Sequence, residues 1–244
     1  MIKHARDERV ARFTLARPEK RNALSSELLN ALLEGLRGAN ADRGIGAILL
    51  DAEGPVFSAG MDLEEAPGTD PAALNQLHAE AFSVRKELTK PLVAAVDGTA
   101  FGGAMGLVAN AHVAIASDQA RFGLVELRVG MWPFMVWASI VEAIGRRRAL
   151  ELALTTRVFT AAEALAYGLV HEITPEPDLA RRAIEIARQL SVSSGETIAR
   201  GFRAAVHPEL TASLRAEQLV SPDFREGVSA FRAKRTPHWP SNDM

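Results

Sequence analysis

Two glycine-rich loops and one glutamate concentrate the chemistry this chain can do. The run Val96-Asp97-Gly98-Thr99-Ala100-Phe101-Gly102-Gly103-Ala104-Met105-Gly106 follows an apolar stretch, Leu92 to Val96, that reads as a buried strand, and it leads into small residues, Ala104 to Asn110, that read as a helix. Glycine inside a helix is worse than alanine by roughly 1 kcal/mol per residue. Gly102, Gly103 and Gly106 therefore need a reason. Glycine lets another group approach the backbone, and the first N–H groups of a helix have no intrahelical partner and lie at the positive end of its dipole. A turn of this kind can hold an anion or a developing oxyanion. A tight strand-to-helix turn built only for close packing would have the same composition. Gly54-Pro55-Val56-Phe57-Ser58-Ala59-Gly60-Met61-Asp62-Leu63 is a second loop of small residues, again after a strand, Ala47 to Leu50. Glu126 stands near the end of a short extended piece, Arg121 to Glu126, where it reads as a base or as a solvated loop acid.

The elements that must position these residues follow from periodicity. Arg9 to Leu15 alternates apolar and polar residues and predicts a half-buried strand ending in a turn at Arg17-Pro18-Glu19-Lys20. Leu28, Leu29, Leu32, Leu33 and Leu36 share one face of a helix spanning Ser26 to Asn40. Asp70 is an N-cap with Pro71 at the first helical position, and 3,4 spacing carries that helix to Leu88. A strand at His112 to Ala116 and a helix from Pro133 to Ile144 follow. Beyond Arg146 the pattern is almost wholly helical, at Ala149 to Leu154, Ala161 to Tyr167, Leu179 to Leu190, Glu196 to Val206, Leu210 to Leu219 and Asp223 to Arg232. One brief strand interrupts it at Leu169 to Ile173. The helix, strand and glycine-turn unit occurs twice, at residues 47–63 and 92–106. We expect an α/β core over residues 1–190 and a helical region over 191–244.

Composition narrows the functions. The chain has 244 residues, 48% of them hydrophobic and 24% charged, with a net charge of −2 and no cysteine. It is long enough for one sizeable core. The charge gives no footprint for nucleic acid or an anionic membrane, so neither is expected as a partner. Thiolate nucleophiles and zinc–thiolate sites are excluded. The six histidines show no ligand spacing, so core or surface roles are expected and a metal is not. There is no Gly-x-Ser-x-Gly elbow for a serine hydrolase and no Gly-x-Gly-x-x-Gly after a strand for a dinucleotide. The first residues lack the apolar run of a signal peptide, and the expected location is the cytoplasm.

Taken in order, several motifs resemble the crotonase superfamily, the enoyl-CoA hydratase and isomerase relatives. They are Arg17-Pro18-Glu19-Lys20-Arg21-Asn22-Ala23-Leu24, Phe57-Ser58-Ala59-Gly60-Met61-Asp62-Leu63, Ala100-Phe101-Gly102-Gly103-Ala104-Met105-Gly106, and Phe122-Gly123-Leu124-Val125-Glu126 with Gly130 and Pro133. Gly145 to Leu152, Ala161 to Val170 and Phe224 to Phe231 continue the match over nearly the whole chain. The resemblance implies a spiral of ββα units with a C-terminal helical trimerisation region, in homotrimers or homohexamers. It implies an acyl-CoA thioester substrate, with coenzyme A entering as part of that substrate and no separate cofactor.

By the same resemblance, the N–H groups of Met61 and Gly103 clamp the thioester oxygen and Glu126 is the catalytic acid or base. The contacts to coenzyme A fall on Arg21, Ala23, Leu24, Ala59, Gly60, Asp62, Leu63 and Gly102, with Phe231 and Lys234 reaching in from a neighbouring subunit. Asp62 read without the resemblance is a loop or capping acid. Trp132, with Phe134 and Trp137, would line an acyl pocket or belong to the core, and Arg146 to Arg148 would meet phosphates or form a solvated turn. Hydratases of the family carry two glutamates, and the first falls here on Gly106. A lone Glu126 suits a proton shuttle between C2 and C4 of a 3-enoyl thioester, which favours isomerase-type chemistry. Addition of water to a 2-enoyl thioester is the alternative, and a non-catalytic acyl-CoA-binding role is a further one.

Overall fold

Near-continuous apolar runs build the sheet on which the rest is stacked, in a computed structural model that describes residues 1–65, 68 and 70–243. Strands β3 (Ala47–Ala52), β4 (Leu92–Val96) and β6 (Val113–Ser117) are buried on both faces, which is why they lack a polar alternation, whereas β2 (Val10–Leu15) keeps the alternation, with Arg12 half-buried and Thr14 buried against Asp51. With β1 (Ile2–Asp7) and β9 (Glu172–Thr174) they form a six-stranded sheet in the order β1-β2-β3-β4-β6-β9. Only β1 runs antiparallel to its neighbour; β2 lies parallel to β3 from Val10↔Ala47 to Leu15↔Ala52, and β4 parallel to β6 from Val93↔Val113 to Val96↔Ala116.

Three times, after β3, β4 and β6, the chain leaves this sheet and makes a short contact in a second one before turning into a helix. After β3, Ser58 bridges Ala100, and the chain then enters α2 (Pro71–Ala81). After β4 comes β5 (Thr99–Phe101) and then α3 (Gly103–Ala109). After β6 comes β7 (Arg121–Gly123), parallel to β5, and later α4 (Trp137–Ile144). β8 (Phe159–Thr160) closes the small sheet antiparallel to β7. The result is a spiral of three ββα turns.

One face of the long sheet, with Val10, Leu49, Val93, Ala95 and Ile115, packs on Leu179, Ala183 and Ala187 of α7 (Leu179–Ser191). The other face buries Phe13, Leu15, Ile48 and Leu50 with Leu28, Leu32 and Leu36 of α1 (Ser26–Ala41). Full burial of each such leucine contributes roughly 1.5–3 kcal/mol. Caps fix where helices begin: Ser25 accepts from Leu28 N, and Asp70 accepts from Ala72 N and Ala73 N. The chain continues through α5 (Arg146–Thr155) and α6 (Ala161–Tyr167), and after α7 through α8 (Gly195–Val206), α9 (Thr211–Leu219) and α10 (Pro222–Ala233). His112 ties α8 to the sheet. Its ring stacks on Phe202 at 4.0 Å and its Nδ1 accepts from Leu92 N at 3.0 Å, and burial, with a smaller contribution from Arg85, lowers its pKa to about 4.

The structure departs from the sequence reading in several places. The glycine turn after β4 contains a strand, β5, because Phe101 N and Ser58 N find acceptors across the second sheet at Ser58 O and Thr99 O. β1 and β8 were not expected, since neither has a clean apolar run. The strand expected over Leu169 to Ile173 is confined to Glu172–Thr174. α4 begins at Trp137 rather than Pro133, because all six residues from Met131 to Val136 line one cavity, which six consecutive residues of a helix could not achieve.

Candidate active site

The bend at Gly60 and the start of α3 bring two backbone amides together. Gly60 has φ +90° and Gly102 φ +54°, values that L side chains rarely adopt. The segment carrying Ala59 to Asp62 is held against residues 21–24 by Ala59 N donating to Arg21 O, Leu24 N to Gly60 O and Asp62 N to Leu24 O. That ladder turns Met61 N–H the other way. Gly103 is the first residue of α3, so its N–H is an orphan of the helix. A Cβ placed on Gly103 would lie 3.8 Å from Met61 N, and one on Gly60 would lie 3.4 Å from Gly103 N. Neither amide has an acceptor among the described residues. Two unpaired donors over one small volume can hold an oxygen that carries negative charge.

The volume they face is a cavity of about 630 Å³. Its walls are apolar: Leu63, Leu74, Phe82, Met131, Trp132 and Phe134 contribute, with Trp137 behind, its ring 5.1 Å from that of Trp132. Among the described residues that line it, Glu126 is the sole carboxylate. Glu126 opens a 3-10 turn, Glu126–Val129, rather than ending an extended piece. Its carboxyl rests against the glycine turn, since a Cβ on Gly102 would meet Oε1 at 3.3 Å, and its Oε2 is buried without a hydrogen-bond partner among the described residues. Burial raises its pKa above the ordinary glutamate value, and the nearby amides of Glu126 and Val125 offset this in part.

Of the residues named from sequence, Leu24, Ala59, Gly60, Met61, Leu63, Gly102, Gly103, Glu126 and Trp132 line this cavity. Arg21, Ala23 and Asp62 do not. Arg21 is exposed at a left-handed position, its carbonyl accepting from Ala59 N. Asp62 is buried and engaged with the fold: its Oδ2 accepts from Arg17 at 2.7 Å and its Oδ1 from Glu64 N, and the Arg17 bond lowers its pKa. That is the loop-acid reading. Phe231, 86% exposed, and Lys234 lie at the end of α10, outside the cavity of their own chain. Arg148 stacks over Tyr167 at 4.2 Å and pairs with Glu151, away from the cavity. His78, dismissed from sequence as one of six histidines without ligand spacing, stands in the cavity wall. Only its placement on the inner face of α2 singles it out.

Gly106 is buried, and the space beside it is taken. A Cβ there would lie 2.8 Å from Phe82 Cδ1 and closer still to Val136 Cγ1. The position where relatives would place a first glutamate has therefore been closed by packing between α3 and the start of α4.

A ββα spiral that opens two backbone amides onto an apolar cavity is a crotonase fold. The model of the enoyl-CoA hydratase/isomerase family matches residues 5–242, and the chain is an enzyme that belongs to that family. It is 32% identical to the mouse (Mus musculus) mitochondrial enoyl-CoA hydratase domain-containing protein 3 over 94% of this chain and 81% of that one. It is also 32% identical to the 2,3-dehydroadipyl-CoA hydratase of Escherichia coli (strain K12), over 96% of each chain. The crystal structure of human enoyl Coenzyme A hydratase domain-containing protein 3 superposes with a TM-score of 0.90 at 28% identity, covering 98% of this chain and 99% of that one.

Proposed function

We propose that this enzyme binds an acyl-CoA thioester with its carbonyl oxygen between Met61 N–H and Gly103 N–H, and that Glu126 moves one proton along the acyl chain, converting a 3-enoyl to a 2-enoyl ester. Glu126 takes the C2 proton, and the electron pair spreads into a dienolate whose oxygen the two amides stabilise. The double bond moves from C3–C4 to C2–C3 as Glu126 returns the proton at C4. Atoms and charge balance with no redox partner, and coenzyme A enters only as part of the substrate. A raised pKa suits a group that must both accept and release the proton near neutral pH.

One observation carries the preference for isomerisation: among the described residues that line the cavity there is a single carboxylate, and packing at Gly106 fills the space where a second would stand. Hydration needs water activated on one carbon and a proton delivered to the next, which is two tasks for Glu126. Several relatives are named as hydratases, which favours that second reading. Incubation with 2-enoyl- and 3-enoyl-CoA esters in deuterated water, followed by mass spectrometry, decides between them. Isomerisation gives deuterium exchange and interconversion of the two esters, whereas rapid 3-hydroxyacyl-CoA formation from the 2-enoyl ester would overturn our preference. Assembly into trimers or hexamers is part of the same proposal, supported by the exposure of Phe231, Val220 and Phe224 on the last two helices.

A further inference from the structure

His78 is a polar residue in a place where a leucine would pack without penalty. It is 6% exposed in the wall of the cavity, on α2. Its ring lies 5.6 Å from that of Phe82, and Phe82 in turn reaches the oxyanion turn, its Cζ 3.1 Å from where a Cβ on Gly103 would sit. Its buried Nε2 has no hydrogen-bond partner among the described residues. Such an atom bears its desolvation penalty with nothing to offset it until a ligand supplies the missing bond. Glu126 Oε2 is in the same condition in the same cavity, against the turn at Gly102. On the proposed mechanism Glu126 faces the reacting carbons, which leaves His78, on a different element, α2, to meet another part of the acyl chain.

The character of that group follows from the charge state of the ring. Burial lowers the His78 pKa, and Glu65, whose carboxylate accepts from Ser26 N, offsets this only in part. The imidazole is neutral at pH 7, one nitrogen a donor and the other an acceptor. A neutral ring among apolar walls matches an uncharged oxygen. Asn75, one helical turn away on the same wall, is exposed and adds a second polar group beside it.

We propose that His78 recognises an oxygen function on the acyl chain, so that the cavity selects acyl-CoA esters bearing a hydroxyl or oxo group beyond the reacting carbons over plain alkyl esters of the same length. The proposal rests on the reading that the cavity holds an acyl-CoA thioester. It is tested by calorimetry with saturated esters that cannot isomerise: hexanoyl-CoA, 5-oxohexanoyl-CoA, 6-hydroxyhexanoyl-CoA and adipyl-CoA. The wild-type protein should bind at least one of the two oxygenated esters roughly ten-fold tighter than hexanoyl-CoA. His78→Leu should erase that ratio while leaving hexanoyl-CoA bound as well or better, and His78→Gln should keep part of it. Equal wild-type affinities, a preference that survives His78→Leu, or tightest binding of adipyl-CoA would overturn the role of His78. If none of the esters binds, the acyl-CoA reading itself falls. Should His78→Leu fail to fold, the wild-type ratios and His78→Gln still decide the matter.

Discussion

Glu126 and its neighbours carry predictions that separate chemistry from packing. Glu126→Gln removes the proton shuttle but keeps the shape, so kcat should fall by roughly 10²–10⁴ while binding of a saturated acyl-CoA ester persists in calorimetry. Because burial raises the Glu126 pKa, kcat/KM for isomerisation should rise with pH through an apparent pKa above 4.5, the ordinary value. The same shift fixes the sign of a stability effect. A carboxyl whose folded pKa is raised contributes stability in its protonated form, which is lost as pH rises through the folded value. Glu126→Gln should therefore melt at a higher temperature than wild type at pH 8, with the gap closing at pH 4. Gly106 supplies a contrasting case. Gly106→Ala should cost about 1–3 kcal/mol by overpacking against Val136 and Phe82, and Val136→Ala in the same chain should recover part of it, measured as a coupling energy in a double-mutant cycle by urea melts.

At the scale of elements, the groups that the proposed mechanism uses are held by the ends of strands and helices rather than by their middles. Glu126 begins a 3-10 turn after β7, and β7 is placed by β5 on one side and β8 on the other. β8 runs directly into α6, whose start is a capping box: Thr160 Oγ accepts from Glu163 N, and Glu163 accepts from Thr160 N. Thr160→Ala should lower stability by roughly 0.5–2 kcal/mol. The Thr160 amide, with Arg157, lowers the Glu163 pKa to about 2. A depressed folded pKa means stability present above the unfolded value of about 4.5 and lost as pH falls toward 2. The difference in melting temperature between wild type and Glu163→Gln should accordingly shrink over that window.

For the whole molecule, the last helices leave apolar side chains outside the core. Phe231 is 86% exposed and Val220 70% exposed, more than a lone chain needs to show to water. On the proposed assembly they are buried between copies. Phe231→Asp should then shift sedimentation from trimer or hexamer toward monomer, and a wild-type monomer at micromolar concentration would remove the assembly claim.

The amino-acid sequence by itself determined strands β2, β3, β4 and β6, the amphipathic helices and the two glycine loops. Continuous apolar runs, 3,4 spacing and glycine clusters are local signals that survive in one dimension. It also marked Met61, Gly103 and Glu126, through motifs that resemble a family. What it left undecided is what depends on contacts distant along the chain. Glu8 to Arg9 could not announce that β1 folds back on β2, and Thr99 to Phe101 could not announce a strand whose partners lie at Ser58 and Arg121. Gly106 read as a missing glutamate; only the packing of Val136, thirty residues on, shows that the space itself is gone. His78 read as one histidine among six, because burial, a neighbouring cavity and an unpartnered nitrogen are properties of the folded surroundings and not of the residue type.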